Sequence, residues 1–212
     1  MALHIITALY RFEYLEKVYN SINMDSDIVW HIAKSNRRED LDYAFLKEDK
    51  RIRLYNVDCE DDGVAGKKRA SALENVKDGY FCFLDDDTLF HENMYIKYRE
   101  CMENNFKGML VGNQVDWDGG IRLVAHHPVF HKIDVGNVLC HHGCLSVCKW
   151  PTYDVDKRYN KDYIFWRLVY EHYSQKCELT NTTISYYNML SEKKTKWVNS
   201  NDLLKKVSKS RR

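Results

Sequence analysis

Three adjacent carboxylates carry the strongest chemistry in the sequence. Asp85, Asp86 and Asp87 follow directly on the apolar run Tyr80-Phe81-Cys82-Phe83-Leu84, and Thr88 closes the stretch. Side by side in a half-buried place, carboxylates repel one another, and burial penalises their charge as well. A divalent cation relieves both costs. Asp85 and Asp87 are separated by one residue, so in an extended backbone they point to the same side. Two hard oxygen donors on one side suit Mg2+ or Mn2+ shared with a substrate phosphate. The plainer alternative is an acidic turn in which Asp87 or Thr88 caps the next helix. A cap needs one carboxylate, and this stretch has three.

The elements that position these groups follow from the apolar pattern. The run before Asp85, led in by Asp78-Gly79, reads as a buried strand of a parallel sheet. Ligands of open α/β sheets bind at the carboxyl ends of such strands. Residues 3–9, 27–33 and 51–57 read as three earlier strands. Residues 11–22 and 36–50 read as helices, and residues 63–77 as a turn and a helix with Ala70, Leu73 and Val76 facing inward. Strands separated by helical stretches mean βαβ units and a largely parallel sheet. Beyond the carboxylates, residues 91–106 predict a helix and residues 107–116 a strand. Asp116-Trp117-Asp118-Gly119-Gly120 is a turn, with residues 121–125 as hairpin partner. A strand is expected around residues 145–148, an aromatic-rich helix over 159–173 and a last strand over 182–187. Residues 193–212 are basic and read as a solvated helix, a tail or a linker to a further domain.

Composition narrows the class. A chain of 212 residues with 44% hydrophobic residues can bury one large core. The expected organisation is a single domain of two halves, 1–88 and 89–190, followed by a tail over 191–212. A net charge of +1 argues against a nucleic-acid partner held by bulk charge. No stretch approaches the ~18 apolar residues of a membrane span. Residues 1–6 read as part of the first strand rather than a signal peptide. Seven scattered cysteines, an odd number, fit a reducing compartment and a cytoplasmic location.

Gly66-Lys67-Lys68-Arg69-Ala70, a helix, and then Gly79-Tyr80-Phe81-Cys82-Phe83-Leu84-Asp85-Asp86-Asp87 resemble, in order, the glycine, basic residue, helix, strand and acidic motif of nucleotide-sugar glycosyltransferases of the GT-A fold. Tyr159-Asn160-Lys161-Asp162-Tyr163-Ile164-Phe165 is similar to that family's acidic helix start, where an aspartate faces the acceptor. Lys161 stands where many members have glutamate. The resemblance covers roughly residues 3–170. The short size and triple aspartate look most like the compact glycosyltransferase domains of large algal (chlorella) viruses, which would place the protein in a host cytoplasm.

The resemblance implies an α/β fold of the GT-A type: a Rossmann-like, mostly parallel central sheet flanked by helices, with a smaller mixed acceptor-side sheet. It implies metal-dependent transfer of a sugar from a UDP-sugar, such as UDP-glucose or another UDP-hexose, to a glycan hydroxyl. Thr7, Ala8, Leu9, Tyr10 and Arg11 would hold the uracil and ribose. Asp85 and Asp86 would face the donor. Asp87, with Asp85, would bind Mn2+ or Mg2+, and a histidine from the second half, His142 or else His141 or His172, would complete the metal site. Lys67 or Arg69 would hold the diphosphate or the acidic motif. Asp162 would act at the acceptor, as base or hydroxyl-binder, its pKa lowered by the helix start and by Lys161; the alternative is that it merely caps the helix.

Other candidates have plainer readings beside them. Trp117, Asp118, Gly119 and Gly120 could form a sugar platform, with His141 near the acceptor, or an ordinary hairpin turn. Cys140, Cys144 and Cys148 beside two histidines invite a zinc reading but lack a distant second pair. Tyr153, Tyr159, Tyr163, Phe165, Trp166, Tyr170 and Tyr173 could line an acceptor site or fill the core. Two other classes compete with a transferase. A non-catalytic nucleotide-sugar binding module would be expected to lose its carboxylates. A phosphatase of the haloacid dehalogenase type carries its aspartates on the first strand, and here three strands come first.

Overall fold

A computed structural model describes residues 1–22, 25–37, 43–59, 65–152, 161–173 and 177–190. Strand β1 (Leu3–Ala8) leads through a 3-10 turn (Phe12–Tyr14) into α1 (Leu15–Ser21), followed by β2 (Ile28–Ser35), α2 (Ala44–Glu48) and β3 (Ile52–Val57). Helix α3 (Gly66–Leu73) and β4 (Tyr80–Phe83) complete the first half. The four strands pair in parallel in the order β3-β2-β1-β4. All six residues of β1 are buried, as a strand covered on both faces requires.

Alternation along the strands builds two cores. Leu3, Ile5, Tyr80, Cys82 and Leu84 face α1 and join Leu15 and Val18. Ile6, Phe81 and Phe83 face the other way and join Ala72 and Leu73 of α3. Gly79 sets the register between β1 and β4. Its φ is +62°, and a Cβ there would lie 2.0 Å from the Ala2 carbonyl oxygen, which accepts from the Tyr80 amide at 2.9 Å.

The second half comprises α4 (Glu92–Glu103), β5 (Met109–Asp116), β6 (Ile121–Leu123), β7 (Val138–His141), a 3-10 turn (His142–Ser146), α5 (Lys161–Tyr173) and β8 (Cys177–Tyr187). Among the described residues it extends the same sheet to eight strands. The path runs β3-β2-β1-β4-β7-β5-β6, and β8 also pairs with β5. Strand β7 is antiparallel to both β4 and β5, so β5 runs parallel to β4. Strand β8 pairs along β5 from Met109 to Asp116 and takes one edge of it. Strands β7 and β6 must therefore share the other edge, β7 at Met109–Val111 and β6 at Gln114 and Val115. That places β6 beyond the end of β7, level with the turn that follows β4.

Two expectations change here. The strand expected over 145–148 is instead Val138–His141, which is wedged between β4 and β5; its Val138, Leu139 and Cys140 are almost fully buried. Residues 142–146 turn away as a 3-10 helix that His141 opens by accepting from the Gly143 amide at 3.1 Å. The surface helix expected over 36–50 is reduced to α2, with residues 38–42 outside the described set. Among the described residues no helix is long and apolar enough to cross a membrane.

Candidate active site

The acidic run leaves β4 at the carboxyl edge of the parallel strands. Alternation puts Asp85 on the side of Phe81 and Phe83, toward α3 and α5. There Arg69 of α3 donates from Nη2 to Asp85 at 2.7 Å and from Nη1 to Asp162 of α5 at 3.0 Å. One guanidinium thus joins two carboxylates that are 77 positions apart in sequence, at 85 and 162. It lies over the rings of Phe83 and Trp150, with centroids 5.5 and 5.3 Å away.

The extended backbone assumed for Asp85 to Asp87 ends early. The Thr88 amide donates to the Asp85 carbonyl at 3.2 Å and closes a turn. Asp86 and Asp87 consequently share a different cation. Arg11 Nη1 lies 2.6 Å from Asp86 Oδ1 and 2.8 Å from Asp87 Oδ2. The other oxygen of Asp86 accepts from the amides of Tyr10 and Arg11 at 2.5 and 2.8 Å. Asp86 is therefore a clasp on the loop after β1. The same loop is held from beneath by Lys68, whose Nζ donates to the Leu9 carbonyl at 2.9 Å and sits 3.3 Å from the centre of the Tyr10 ring. Thr7 bonds the Leu84 carbonyl at 2.8 Å and accepts from Trp30 at 2.9 Å. Thr7, Ala8 and Leu9 are buried, so Tyr10 and Arg11 are the residues of this loop that reach solvent.

Electrostatics separate the acids. Asp87 is pushed up to about 7, first by burial and then by the nearby charge of Asp85. Asp86 is also raised, chiefly by burial, against the pull of Arg11. Asp162 reaches about 7. This reverses the lowering expected from the helix start and Lys161. Burial is the largest cause, the charges of Asp134 and Asp85 add to it, and Arg69 only partly offsets them. The Asp162 side chain keeps 29% of its surface open, so it remains reachable. It lies inside the first turn of α5 rather than ahead of it, so it is not the helix cap. Lys161 is buried, with its ammonium 3.1 Å from where a Cβ of Gly66 would be.

Strand β6 and the loop after it add groups that no local signal announced. Arg122 Nη1 lies 3.0 Å from Asp134 Oδ2 and bonds Gln114, and its guanidinium stacks 3.5 Å over Tyr187. Asp134 is lowered: burial alone would raise it, and Arg122, the Gly136 amide and Arg69 outweigh that. Asp85, Thr88, Gln114, Asp134, Gly136 and Ser185 line one small cavity beside the acids. The Trp117–Gly120 turn is exposed at the tip of the β5–β6 hairpin, past the carboxyl edge, with Gly119 at φ +81°.

Several expected residues stand elsewhere. His141 pairs with Tyr80 at the amino end of β4, and His142 bonds the Gly79 carbonyl. Five strand residues at about 3.3 Å each put them roughly 16 Å from Asp85. The antiparallel course of β7 thus removes both from the metal and acceptor roles. His172 is exposed near the far end of α5. Lys67 points outward, while Lys68 and Arg69 are buried. Cys140, Cys144 and Cys148 are buried thiols, Cys140 Sγ lying 3.5 Å from Cys144 Sγ, and burial pushes Cys148 up to about 11. They pack in the core and form no ready metal-binding set among the described residues. Phe165 and Trp166 are core, and Tyr163 packs on Phe130. The side chains of Tyr153, Tyr159 and Tyr173 lie outside the described set.

Among the described residues no three His, Cys, Asp or Glu side chains form a ready metal cluster. Mg2+ and Mn2+ are commonly held by one or two carboxylates, with substrate phosphates filling the shell. Asp85 and Asp87 fit that pattern, because their mutual repulsion and the burial of Asp87 are costs that a divalent cation relieves.

No family model matches the sequence, and neither does any curated protein. Solved structures do match. S. aureus TarS 1–349 in complex with UDP superposes with a TM-score of 0.67 at 13% identity, over 88% of this chain and 60% of that one. The fold is of the GT-A type. The complex of TarS 1–349 with UDP-GlcNAc gives 0.64 at 12% identity, and the longer TarS structure 0.69 at 13%, again over 88% of this chain. This GT-A chain spans 60% or less of the length of those structures.

Proposed function

We propose that the protein is a metal-dependent glycosyltransferase that moves a sugar from a UDP-sugar, UDP-glucose or another UDP-hexose, to a hydroxyl of a glycan acceptor. The observation that carries this reading is Arg69 bridging Asp85 and Asp162, which we read as the donor-side and acceptor-side acids. A transferase needs a donor pocket and an acceptor base fixed relative to each other, and a single buried guanidinium does that. The UDP and UDP-GlcNAc held by TarS, which shares the fold, support a nucleotide-sugar donor.

The residues divide the work. Tyr10 and Arg11 meet the nucleoside and diphosphate. Asp85 and Asp87 hold Mn2+ or Mg2+, which supplies positive charge where the UDP leaving group gathers negative charge. Asp162 takes the proton of the acceptor hydroxyl as its oxygen attacks the anomeric carbon and the bond from that carbon to phosphate breaks. A carboxylate with a pKa of about 7 is a better base near neutrality than an ordinary one. It must be ionised, so turnover rises with pH through about 7. The Trp117–Gly120 turn, projecting past the same edge, offers a ring and a carboxylate to a glycan.

The test is release of UDP from a panel of UDP-sugars with Mn2+ and glycan acceptors, with and without EDTA. Metal-dependent release that needs acceptor supports the transferase. UDP-sugar binding without turnover of any donor points instead to a binding module.

A further inference from the structure

Arg11 covers the buried end of the acidic run. Its Nη1 sits between Asp86 and Asp87, 2.6 and 2.8 Å away, and these carboxylates are 3% and 5% exposed while Arg11 itself is 45% exposed. The guanidinium is the lid on two buried acids. The two acids depend on it unequally. Asp86 has two backbone amides on its other oxygen, so it keeps those two donors if the guanidinium leaves. Asp87 has Arg11 as the cation at ion-pair distance among the described residues.

We propose that Arg11 is an internal counter-ion that neutralises Asp87 until metal and diphosphate arrive together, so that the two ligands bind cooperatively. This rests on the reading of Asp87 as a metal ligand. A divalent cation on Asp87 meets the guanidinium at close range and must repel it. With metal alone, Arg11 is pushed into water. With UDP present, the freed fork finds phosphate oxygens, its natural bidentate partner. Each ligand therefore makes the other's site easier to fill, and the coupling is reciprocal. Asp86 keeps the stem of Arg11 in place by its backbone amide throughout.

The experiment is titration of Mn2+, followed by the electron paramagnetic resonance of the free ion, with and without UDP. Wild type is compared with Arg11→Met and with Lys67→Met, which removes an exposed charge of α3. Without UDP, Arg11→Met should bind Mn2+ tighter by on the order of tenfold, and the gain from adding UDP should shrink by a similar factor. Lys67→Met should match wild type. Arg11→Gln, which can still donate to Asp86, serves if Arg11→Met melts early. Unchanged Mn2+ affinity in the Arg11 variants overturns the proposal, and so does equal tightening in Lys67→Met, which would be a general field effect. Absence of Mn2+ binding in wild type even with saturating UDP overturns the metal reading beneath it, and UDP binding alone then tells whether the nucleotide site survives.

Discussion

Two polar clusters in the same parallel strands, each reaching from the interior to the surface, are built on opposite electrostatic plans. One is the chain formed by Tyr55, His31, His4 and Asp78. Tyr55 Oη meets His31 Nδ1 at 2.9 Å, His31 Nε2 meets His4 Nδ1 at 2.9 Å, and His4 Nε2 meets Asp78 at 3.1 Å. With both imidazoles neutral, each acceptor has one donor along the whole chain. Burial, His4 and Arg53 push His31 down to about 3, which keeps it neutral. The other cluster is the carboxyl edge, where four acids share two arginines. Asp87 and Asp162 each stand near 7, and the hydroxyls of Thr88 and Ser185 are buried there with no hydrogen-bond partner in the described structure. A satisfied cluster serves stability. An unsatisfied one is strained toward ligands that would satisfy it, as functional sites commonly are.

Substitutions should break this contrast in different ways. Asp162→Asn keeps an acceptor for Arg69 but cannot take a proton, so turnover should fall by roughly 10²–10⁴-fold with the melting temperature unchanged or raised. Wild-type turnover in this variant would remove Asp162 from the site. Arg69→Met strands two acids and should cost ~3–5 kcal/mol by urea denaturation at about pH 8. Near pH 5 the cost should shrink, because Asp162 is then protonated; an equal cost at both pH values contradicts the counter-ion role. Gly79→Ala forces a strained φ and a clash with Ala2, costing ~1–3 kcal/mol, yet the folded fraction should bind UDP as wild type does.

The remaining expectation concerns pH dependence, and its sign differs between the clusters. Asp87 and Asp162 have folded pKa values raised above the ordinary carboxylate, so the folded state holds protons that the unfolded state has lost. Their contribution to stability falls as pH rises from about 4 to about 7. His31 is depressed, so its contribution is full above about 6.5 and is lost as pH falls through that range toward 3. Melting series of Asp162→Asn and His31→Asn should change the slope of stability against pH in opposite directions between about pH 4 and 6.5.

How much of this the sequence disclosed depends on whether the cause was local. The alternation of strands and helices to β4, and the acidic run itself, are local patterns and were legible. The phase of α3 was nearly so. Anchoring it on Ala70 points at Lys67, whereas the buried set Lys68, Arg69, Ala72 and Leu73 follows helical spacing and selects the two cations that matter. The place of β7 was not legible, because antiparallel register between distant segments leaves no local mark, and His141 and His142 went with it. The Arg122–Asp134 pair and the rise in the pKa of Asp162 both come from tertiary burial, which neither charge spacing nor a helix start reveals.

The carboxyl edge is proposed above as a site for UDP and a divalent cation. Calorimetric titration of UDP into wild type and Asp87→Ala, in Mn2+ and in EDTA, tests it most directly. Wild type should bind UDP in Mn2+, and binding should be weakened by EDTA and weakened equally by Asp87→Ala in a protein that still melts cooperatively. UDP affinity in wild type that is the same with and without Mn2+ would contradict it.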